Sequence, residues 1–291
     1  FCPYCPARFV HMVESALNPQ LSERSAAEYM ISWSMNIGAG PEMKKIDFDR
    51  GGQKIRGHAF GETVPSRHVV ILSHGFMANE RMCRKYAKLL AEMGFLAITF
   101  DFCGGGIISR SDGRSQDMTV LSEKADLLAV VEGVKKQFSP ASISLLGCSQ
   151  GGFVSGLLAA ELGAEVIDRL IMFYPAVCIP DDARKGKMMF FMFDPDNIPD
   201  VLGRFPMKLG GDYARTVIKM NPYEEMKGYT GPVLLVHGTA DKIVNISYAR
   251  KLKEIYSDCR YEEIDGGGHM FKGKADEQAC RILRGYMETV V

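Results

Sequence analysis

Ser142-Ile143-Ser144-Leu145-Leu146-Gly147-Cys148-Ser149-Gln150-Gly151-Gly152 is the stretch whose reading decides the fold. A short apolar run ends in Gly-x-Ser-x-Gly, and a helical pattern with Phe153, Leu157 and Leu158 follows at once. This predicts a buried strand, a tight turn carrying Ser149 at its apex, and a helix leaving directly from the turn. Side chains at 147 or 151 would collide across such a turn, so glycine is required at both. A bare pentapeptide is a weak signal, and its weight depends on the residues around it.

Outward from that turn, strands and helices alternate from Met43 to the C-terminus. Lys44–Asp49 and Lys54–Phe60 read as a hairpin turned by Arg50-Gly51-Gly52. His68–Ser73 and Phe95–Phe100 are continuous apolar runs of the kind buried on both faces of a sheet. Arg81–Met93 and Thr119–Phe138 read as helices, Leu170–Tyr174, Val233–Val236 and Arg260–Ile264 as strands, and Tyr248–Tyr256 and Gln278–Met287 as helices. Repeated βα units imply an α/β fold with a mostly parallel central sheet flanked by helices. Residues 43–291 are therefore read as one α/β domain.

Two regions depart from this rhythm. Residues 1–42 suggest two short helices and a Gly38-Ala-Gly-Pro41 linker, an N-terminal appendage of unknown role. Between Ala176 and Gly228 the chain is rich in Met, Phe, Asp, Pro and Gly, without a clear strand. That is too long for a simple connection, and it is read as an inserted lid. Its Met188-Met189-Phe190-Phe191-Met192-Phe193 cluster is expected to be exposed and to cover an apolar cleft.

A serine nucleophile needs a base, and the base needs an orienting acid. In open α/β sheets these lie beyond the carboxyl ends of the strands. Downstream of Ser149, Val233-Leu-Leu-Val-His237-Gly-Thr-Ala-Asp241 is a strand and a loop bearing Asp241. Tyr261-Glu-Glu-Ile-Asp265-Gly-Gly-Gly-His269 is a strand and a Gly-rich loop bearing His269. The chain order Ser149, Asp241, His269 is that of a serine hydrolase triad on an α/β sheet. Asp265 is a rival acid, disfavoured because it shares one short loop with His269. His237 is read as a buried, hydrogen-bonded strand residue. Oxyanion donors are expected from the backbone N–H groups of Gln150 and Phe76, the latter in His74-Gly75-Phe76 after the Ile71–Ser73 strand. His74 is placed among the substrate-facing residues.

Composition narrows the function classes. Lys+Arg and Asp+Glu are both 35 in 291 residues, which argues against an electrostatic grip on nucleic acid or an anionic membrane. No apolar run approaches the ~20 residues of a membrane span, and no secretory leader is visible. Eight scattered cysteines in a chain of this size favour a reducing cytoplasm. Cys2-Pro-Tyr-Cys5 stands without a second pair or a His cluster. No metal site and no cofactor are expected. Gly104-Gly105-Gly106 lacks the spacing of a phosphate loop and is read as a tight turn.

From Met43 onward the chain resembles the α/β-hydrolase superfamily and, within it, the bacterial cinnamoyl (feruloyl) esterases. The residues that carry the resemblance are His74-Gly75-Phe76, Thr99-Phe-Asp-Phe102, Ser111-Asp-Gly113, Asp117-Met-Thr-Val120 and Gly147-Cys-Ser-Gln-Gly-Gly152. Asp194-Pro-Asp-Asn-Ile-Pro-Asp200, Leu209-Gly-Gly-Asp-Tyr213 and His237-Gly-Thr-Ala-Asp241 continue it. The resemblance implies an α/β-hydrolase fold with an inserted lid, and a serine carboxylesterase acting on hydroxycinnamate or similar aryl esters. It also implies a lid aspartate and tyrosine contacting the ring hydroxyl; by position these are Asp182 and Tyr213. Where those enzymes carry a glutamine seven residues after the lid aspartate, this chain has Met189, which makes the ring end of the pocket greasier. The usual Gly-His-Gly turn is Gly104-Gly105-Gly106 here, and residues 1–42 have no counterpart. The alternatives are a general short-chain acyl esterase, a thioesterase or a peptidase with the same triad, and a non-catalytic ligand-binding homologue. The partner expected is a small-molecule ester, with a homodimer as one option for the oligomeric state.

Overall fold

The eight-residue strand β1 (Met43–Arg50) turns at Gly51-Gly52 into β2 (Gln53–Phe60), and their full-length antiparallel register pairs Met43 with Phe60 and Arg50 with Gln53. This is a computed structural model, and it describes residues 41–64, 67–203 and 205–290. Nearly all of the appendage expected over residues 1–42, with Cys2 and Cys5, lies outside the described residues.

In chain order there follow β3 (His68–Ser73), α1 (Arg84–Glu92), β4 (Leu96–Phe100), α2 (Val120–Phe138), β5 (Ser142–Cys148), α3 (Gln150–Leu162) and β6 (Arg169–Phe173). An excursion then carries α4 (Ile179–Arg184), β7 (Lys187–Met188), β8 (Phe191–Met192), β9 (Val201–Gly203), β10 (Leu209–Gly210), α5 (Gly211–Val217) and α6 (Pro222–Met226). The chain closes with β11 (Val233–Gly238), α7 (Ile246–Leu252), β12 (Cys259–Ile264) and α8 (Lys274–Met287). Among the described residues no helix is long and apolar enough to cross a membrane.

Eight strands form the main sheet in the order β1-β2-β4-β3-β5-β6-β11-β12. The β1–β2 and β2–β4 pairs are antiparallel; every later pair is parallel. Every residue of β4 and β11 is buried, as is β5 after its first residue, which is why these segments are continuous apolar runs. The chain steps from β3 outward to β4 and then returns to the other side of β3 for β5. Connections leave β3 and β5 in opposite directions, so a crevice opens at the carboxyl ends of these two strands. Ser149 and the His74-Gly75-Phe76 loop stand at that crevice.

Helix α3 is buried from Gln150 through Ala159, because it packs on the sheet with α2 and α6 over it. Thr119 caps α2 and does not belong to it: its Oγ1 accepts Ser122 N–H at 3.0 Å, while Ser122 Oγ accepts Thr119 N–H at 2.8 Å.

Between Ala176 and Gly228 the structure corrects the expectation of a strandless segment. Two small antiparallel pairs are present, β7 with β8 and β9 with β10. The 188–193 cluster is also not an exposed apolar patch. Met188 pairs with Phe191 across a hairpin in which Met189 has φ 52°. Both paired residues are buried, and Met192 is 71% exposed. Pairing in so short a hairpin sends alternate side chains to opposite faces, which divides the cluster between core and solvent.

Candidate active site

Ser149 sits between β5 and α3 with φ 55° and ψ −121°, a conformation that costs a non-glycine residue energy and must be held from outside. Its N–H donates to Phe173 O at 2.9 Å, and its C=O accepts Ala176 N–H at 2.9 Å, so β6 and its exit loop hold both ends of the residue. A Cβ at Gly147 would lie 2.2 Å from Gly151 O, and one at Gly151 would lie 2.4 Å from both Ser73 O and His74 O. The turn closes only because neither position carries a side chain.

Two loops at the far strands bring an acid and a base to this serine. His269 Nε2 is 3.0 Å from Ser149 Oγ, and His269 Nδ1 is 2.7 Å from Asp241 Oδ2. With Nδ1–H donated to the carboxylate, the Nε2 lone pair faces the serine hydroxyl, the tautomer a general base requires. The other carboxylate oxygen, Oδ1, accepts the N–H groups of Ile243 at 2.8 Å and Val244 at 2.9 Å. Burial by itself would raise the Asp241 carboxyl. Hydrogen bonds from His237 and His269, the His269 charge and the Val244 N–H outweigh it and hold the group well below the usual carboxylate range. The Tyr174 ring lies 4.7 Å from the imidazole, and Phe271 packs edge-on against Tyr174 at 4.8 Å. Asp265 is elsewhere: its Oδ1 accepts Thr239 Oγ1–H at 3.1 Å.

His237 is fully buried, as the sequence reading holds, but it also belongs to this cluster. Its Nε2 reaches Val244 O at 2.9 Å and Asp241 Oδ2 at 3.2 Å. The signal available in the sequence was its position on the strand that delivers Asp241, four residues ahead.

Of the two expected oxyanion donors, Gln150 follows Ser149 directly in the chain, and Phe76 follows Gly75. A Cβ added to Gly75 would be 3.0 Å from Ser149 Cβ and 3.5 Å from its Oγ, so this peptide abuts the hydroxyl. Gly75 O accepts Ala78 N–H at 3.1 Å and His74 Nδ1–H at 2.8 Å. In a trans peptide the following N–H points the opposite way, so anchoring that carbonyl aims Phe76 N–H away from both partners. Gln150 N–H is at the first position of α3, where no intrahelical acceptor exists. Among the described residues neither N–H meets an acceptor.

The placement of His74 among substrate-facing residues is corrected. It is 0% exposed, and both ring nitrogens are used, Nδ1 on Gly75 O and Nε2 accepting Phe102 N–H at 3.1 Å. Burial, against the pull of Asp101 and the Gly75 carbonyl, lowers its pKa and keeps it neutral. Its Nδ1–H anchors the Gly75 carbonyl from the buried side.

On the excursion side, Asp182 is half-buried on α4, and desolvation raises its carboxyl pKa despite a hydrogen bond from Cys178 and two nearby lysines. Met189 is half-buried at the β7–β8 turn. Tyr213 on α5 is 1% exposed, and its hydroxyl donates to Gln150 Oε1. Its ring packs 5.6 Å from Phe76. The hydroxyl is thus engaged by the residue next to Ser149, which differs from the ring-hydroxyl contact the resemblance implies. Glu123 on α2, unremarked in the sequence, accepts Gln150 Nε2–H at 2.7 Å. Among the described residues no group of three His, Cys, Asp or Glu side chains could hold a metal ion.

The arrangement can deliver an activated hydroxyl to an electrophilic carbon and receive negative charge on two backbone N–H groups. Residues 64–200 match the family model described as serine aminopeptidase, S33. Est1E from Butyrivibrio proteoclasticus with ferulic acid bound is 30% identical in sequence, covers 84% of this chain and 98% of its own, and superposes with a TM-score of 0.77. The α/β hydrolase domain-containing protein 17C of Mus musculus is 25% identical over 236 residues, 77% of this chain and 62% of its own length. This chain thus spans about three-fifths of the length of that curated relative. The esterase Pf2001 of Pyrococcus furiosus, 18% identical with a TM-score of 0.65, shares the fold.

Proposed function

Because the chain belongs to the α/β-hydrolase superfamily, and the similar Est1E has ferulic acid bound, we propose that it is a serine carboxylesterase for hydroxycinnamate or similar aryl esters. The observation that supports this most is the unbroken line Ser149 Oγ, His269 Nε2, His269 Nδ1, Asp241 Oδ2, at 3.0 and 2.7 Å, built on a serine in a strained turn.

In this reading His269 Nε2 takes the Ser149 proton as Oγ attacks the ester carbonyl carbon. The carbonyl oxygen becomes an oxyanion between Phe76 N–H and Gln150 N–H. The imidazolium, steadied by the ionised Asp241, then protonates the departing alkoxide and leaves an acyl-Ser149. Water, deprotonated by His269 in the same way, hydrolyses that ester. The excursion selects the acyl group: the half-buried Asp182 accepts a hydrogen bond from a phenolic hydroxyl, and Met189 offers an apolar contact to the ring.

The test compares ethyl ferulate with ethyl butyrate on the wild type and on Asp182→Ala. A higher kcat/KM for the ferulate that drops in the variant supports the aryl specificity. Preference for the butyrate with no effect of Asp182→Ala contradicts it and leaves a general acyl esterase. The family model over residues 64–200 favours a second reading, a peptidase with the same residues. Hydrolysis of an aminoacyl anilide in excess of any ester would select it.

A further inference from the structure

A single residue next to the nucleophile, Gln150, carries two jobs on its two ends. Its backbone N–H is at the first position of α3 and is one of the two proposed oxyanion donors. Its side chain is fully buried and bridges two other helices: Oε1 accepts the Tyr213 hydroxyl from α5, and Nε2 donates to Glu123 Oε2 on α2 at 2.7 Å. Neither connection is needed by the proton transfers between Ser149, His269 and Asp241.

Glu123 is 0% exposed, and its other oxygen, Oε1, has no hydrogen-bond partner among the described residues. Burial, first of all, and the nearby Asp126 charge push its carboxyl well above the usual range, while the Gln150 N–H opposes them, so the neutral acid is the favoured form. Placing even a neutral carboxyl in a core costs free energy that an apolar residue at this helix position would not. The location is informative. A Cβ at Gly105 would be 2.8 Å from Glu123 Oε1 and 3.5 Å from His74 Cε1. Glu123 therefore lies against the Gln150 side chain and near the imidazole that anchors Gly75 O.

We propose that Glu123 and Tyr213 are positioning residues that hold the Gln150 side chain from opposite ends, and so fix the Gln150 N–H and tie the excursion to the oxyanion site. The proposal rests on the serine esterase reading above. Within it, Tyr213 acts on the rate of the chemical step through Gln150 and not as a ligand of the acyl ring. That separates two roles by kinetics. A ring contact, once lost, raises KM for ring-bearing esters; a misplaced oxyanion donor lowers kcat for every ester.

The experiment uses the whole chain with two esters, ethyl ferulate and p-nitrophenyl acetate, whose acyl group has no ring. The variants are Tyr213→Phe, Glu123→Gln, Glu123→Leu and the Tyr213→Phe/Glu123→Leu pair. Removing an oxyanion donor outright costs about 10²–10³ in kcat, so loosening one is expected to cost on the order of tenfold. Tyr213→Phe and Glu123→Leu should each lower kcat by about that factor for both esters, with KM within about twofold. Their combination should cost less than the product of the two, because both act through one side chain. Glu123→Gln, whose amide oxygen still accepts from Gln150, should stay close to wild type. Should Glu123→Leu fail to fold, Glu123→Gln and Tyr213→Phe differ so little in volume from the wild type that they carry the test alone.

The relay is overturned if Tyr213→Phe raises KM for the ferulate and leaves p-nitrophenyl acetate untouched. It is equally overturned if a folded Glu123→Leu keeps wild-type kcat, or if Glu123→Gln loses as much as Glu123→Leu. Wild-type turnover that vanishes in Ser149→Ala is measured alongside. Its absence sinks the serine reading itself, and its presence with no kcat effect sinks the relay alone.

Discussion

His237 Nε2 lies 3.2 Å from Asp241 Oδ2, the same oxygen that receives His269 Nδ1 at 2.7 Å. Asp241 is therefore held by four donors: two imidazoles on Oδ2 and two backbone N–H groups on Oδ1. Asp241→Asn keeps an oxygen for the backbone pair but turns an NH₂ toward both histidines. His269 must then accept at Nδ1 and carry its proton on Nε2, facing the serine. A fall in kcat of about 10³–10⁴-fold is expected, with folding retained. His237→Leu removes only the supporting donor and strands Val244 O. Its expected cost is about 2 kcal/mol in urea unfolding and a much smaller kcat loss than Asp241→Asn. Equal losses in kcat would contradict this ranking.

Asp241 and Asp126 make opposite contributions as pH changes. The Asp241 pKa in the fold lies below its ordinary value near 4, so the stability it contributes is present above that value and is lost only at lower pH. Between pH 5 and 8 it contributes no slope. Asp126 is the reverse: burial, against Arg50 and the Cys103 N–H, raises it to about 6. A raised carboxyl is bound to its proton in the fold before it is in the unfolded chain, so stability is fullest below pH 4 and falls as pH climbs through 6. Asp126→Asn should remove that decline, worth on the order of 2–3 kcal/mol, relative to wild type in a pH series of denaturant unfolding. Parallel curves for the two proteins between pH 4 and 7 would refute it.

Gly75 and Gly151 both pack close to Ser149 and its turn but fail differently when substituted. A Cβ at 151 meets two carbonyl oxygens at 2.4 Å, backbone atoms with no flexible side chain able to yield. Gly151→Ala should cost more than about 4 kcal/mol and leave little folded protein. A Cβ at 75 meets the Ser149 side chain at 3.0 and 3.5 Å, contacts a small shift relieves. Gly75→Ala should fold with nearly wild-type stability and lose about tenfold or more in kcat, because the shift falls on Ser149 and on the peptide proposed to hold the oxyanion. Thermal unfolding beside steady-state rates separates the two outcomes.

The frame of the fold was legible because its strands are buried on both faces and spell continuous apolar runs, as β4 and β5 do. Ser149, Asp241 and His269 were legible because each follows such a run in the order an α/β sheet imposes. What escaped were features without a period. Strands of two or three residues, β7 to β10, are too short to alternate visibly. Glu123 and Asp126 occupy the buried face of α2, where charge normally marks the solvent side, so their burial inverts the pattern. The sequence places His74 toward the substrate because a residue's position in a loop does not reveal which way its ring turns; here it turns inward to Phe102 and Gly75. Tyr213 is a similar case, its hydroxyl directed by a three-residue network that no local pattern encodes.

The proposed roles of Ser149 as nucleophile and His269 as its base are tested most directly by labelling the intact protein with a fluorophosphonate and locating the modified peptide by mass spectrometry. One adduct is expected, on Ser149, absent in Ser149→Ala and formed far more slowly in His269→Ala. An adduct on another residue, or labelling that survives Ser149→Ala, would contradict it.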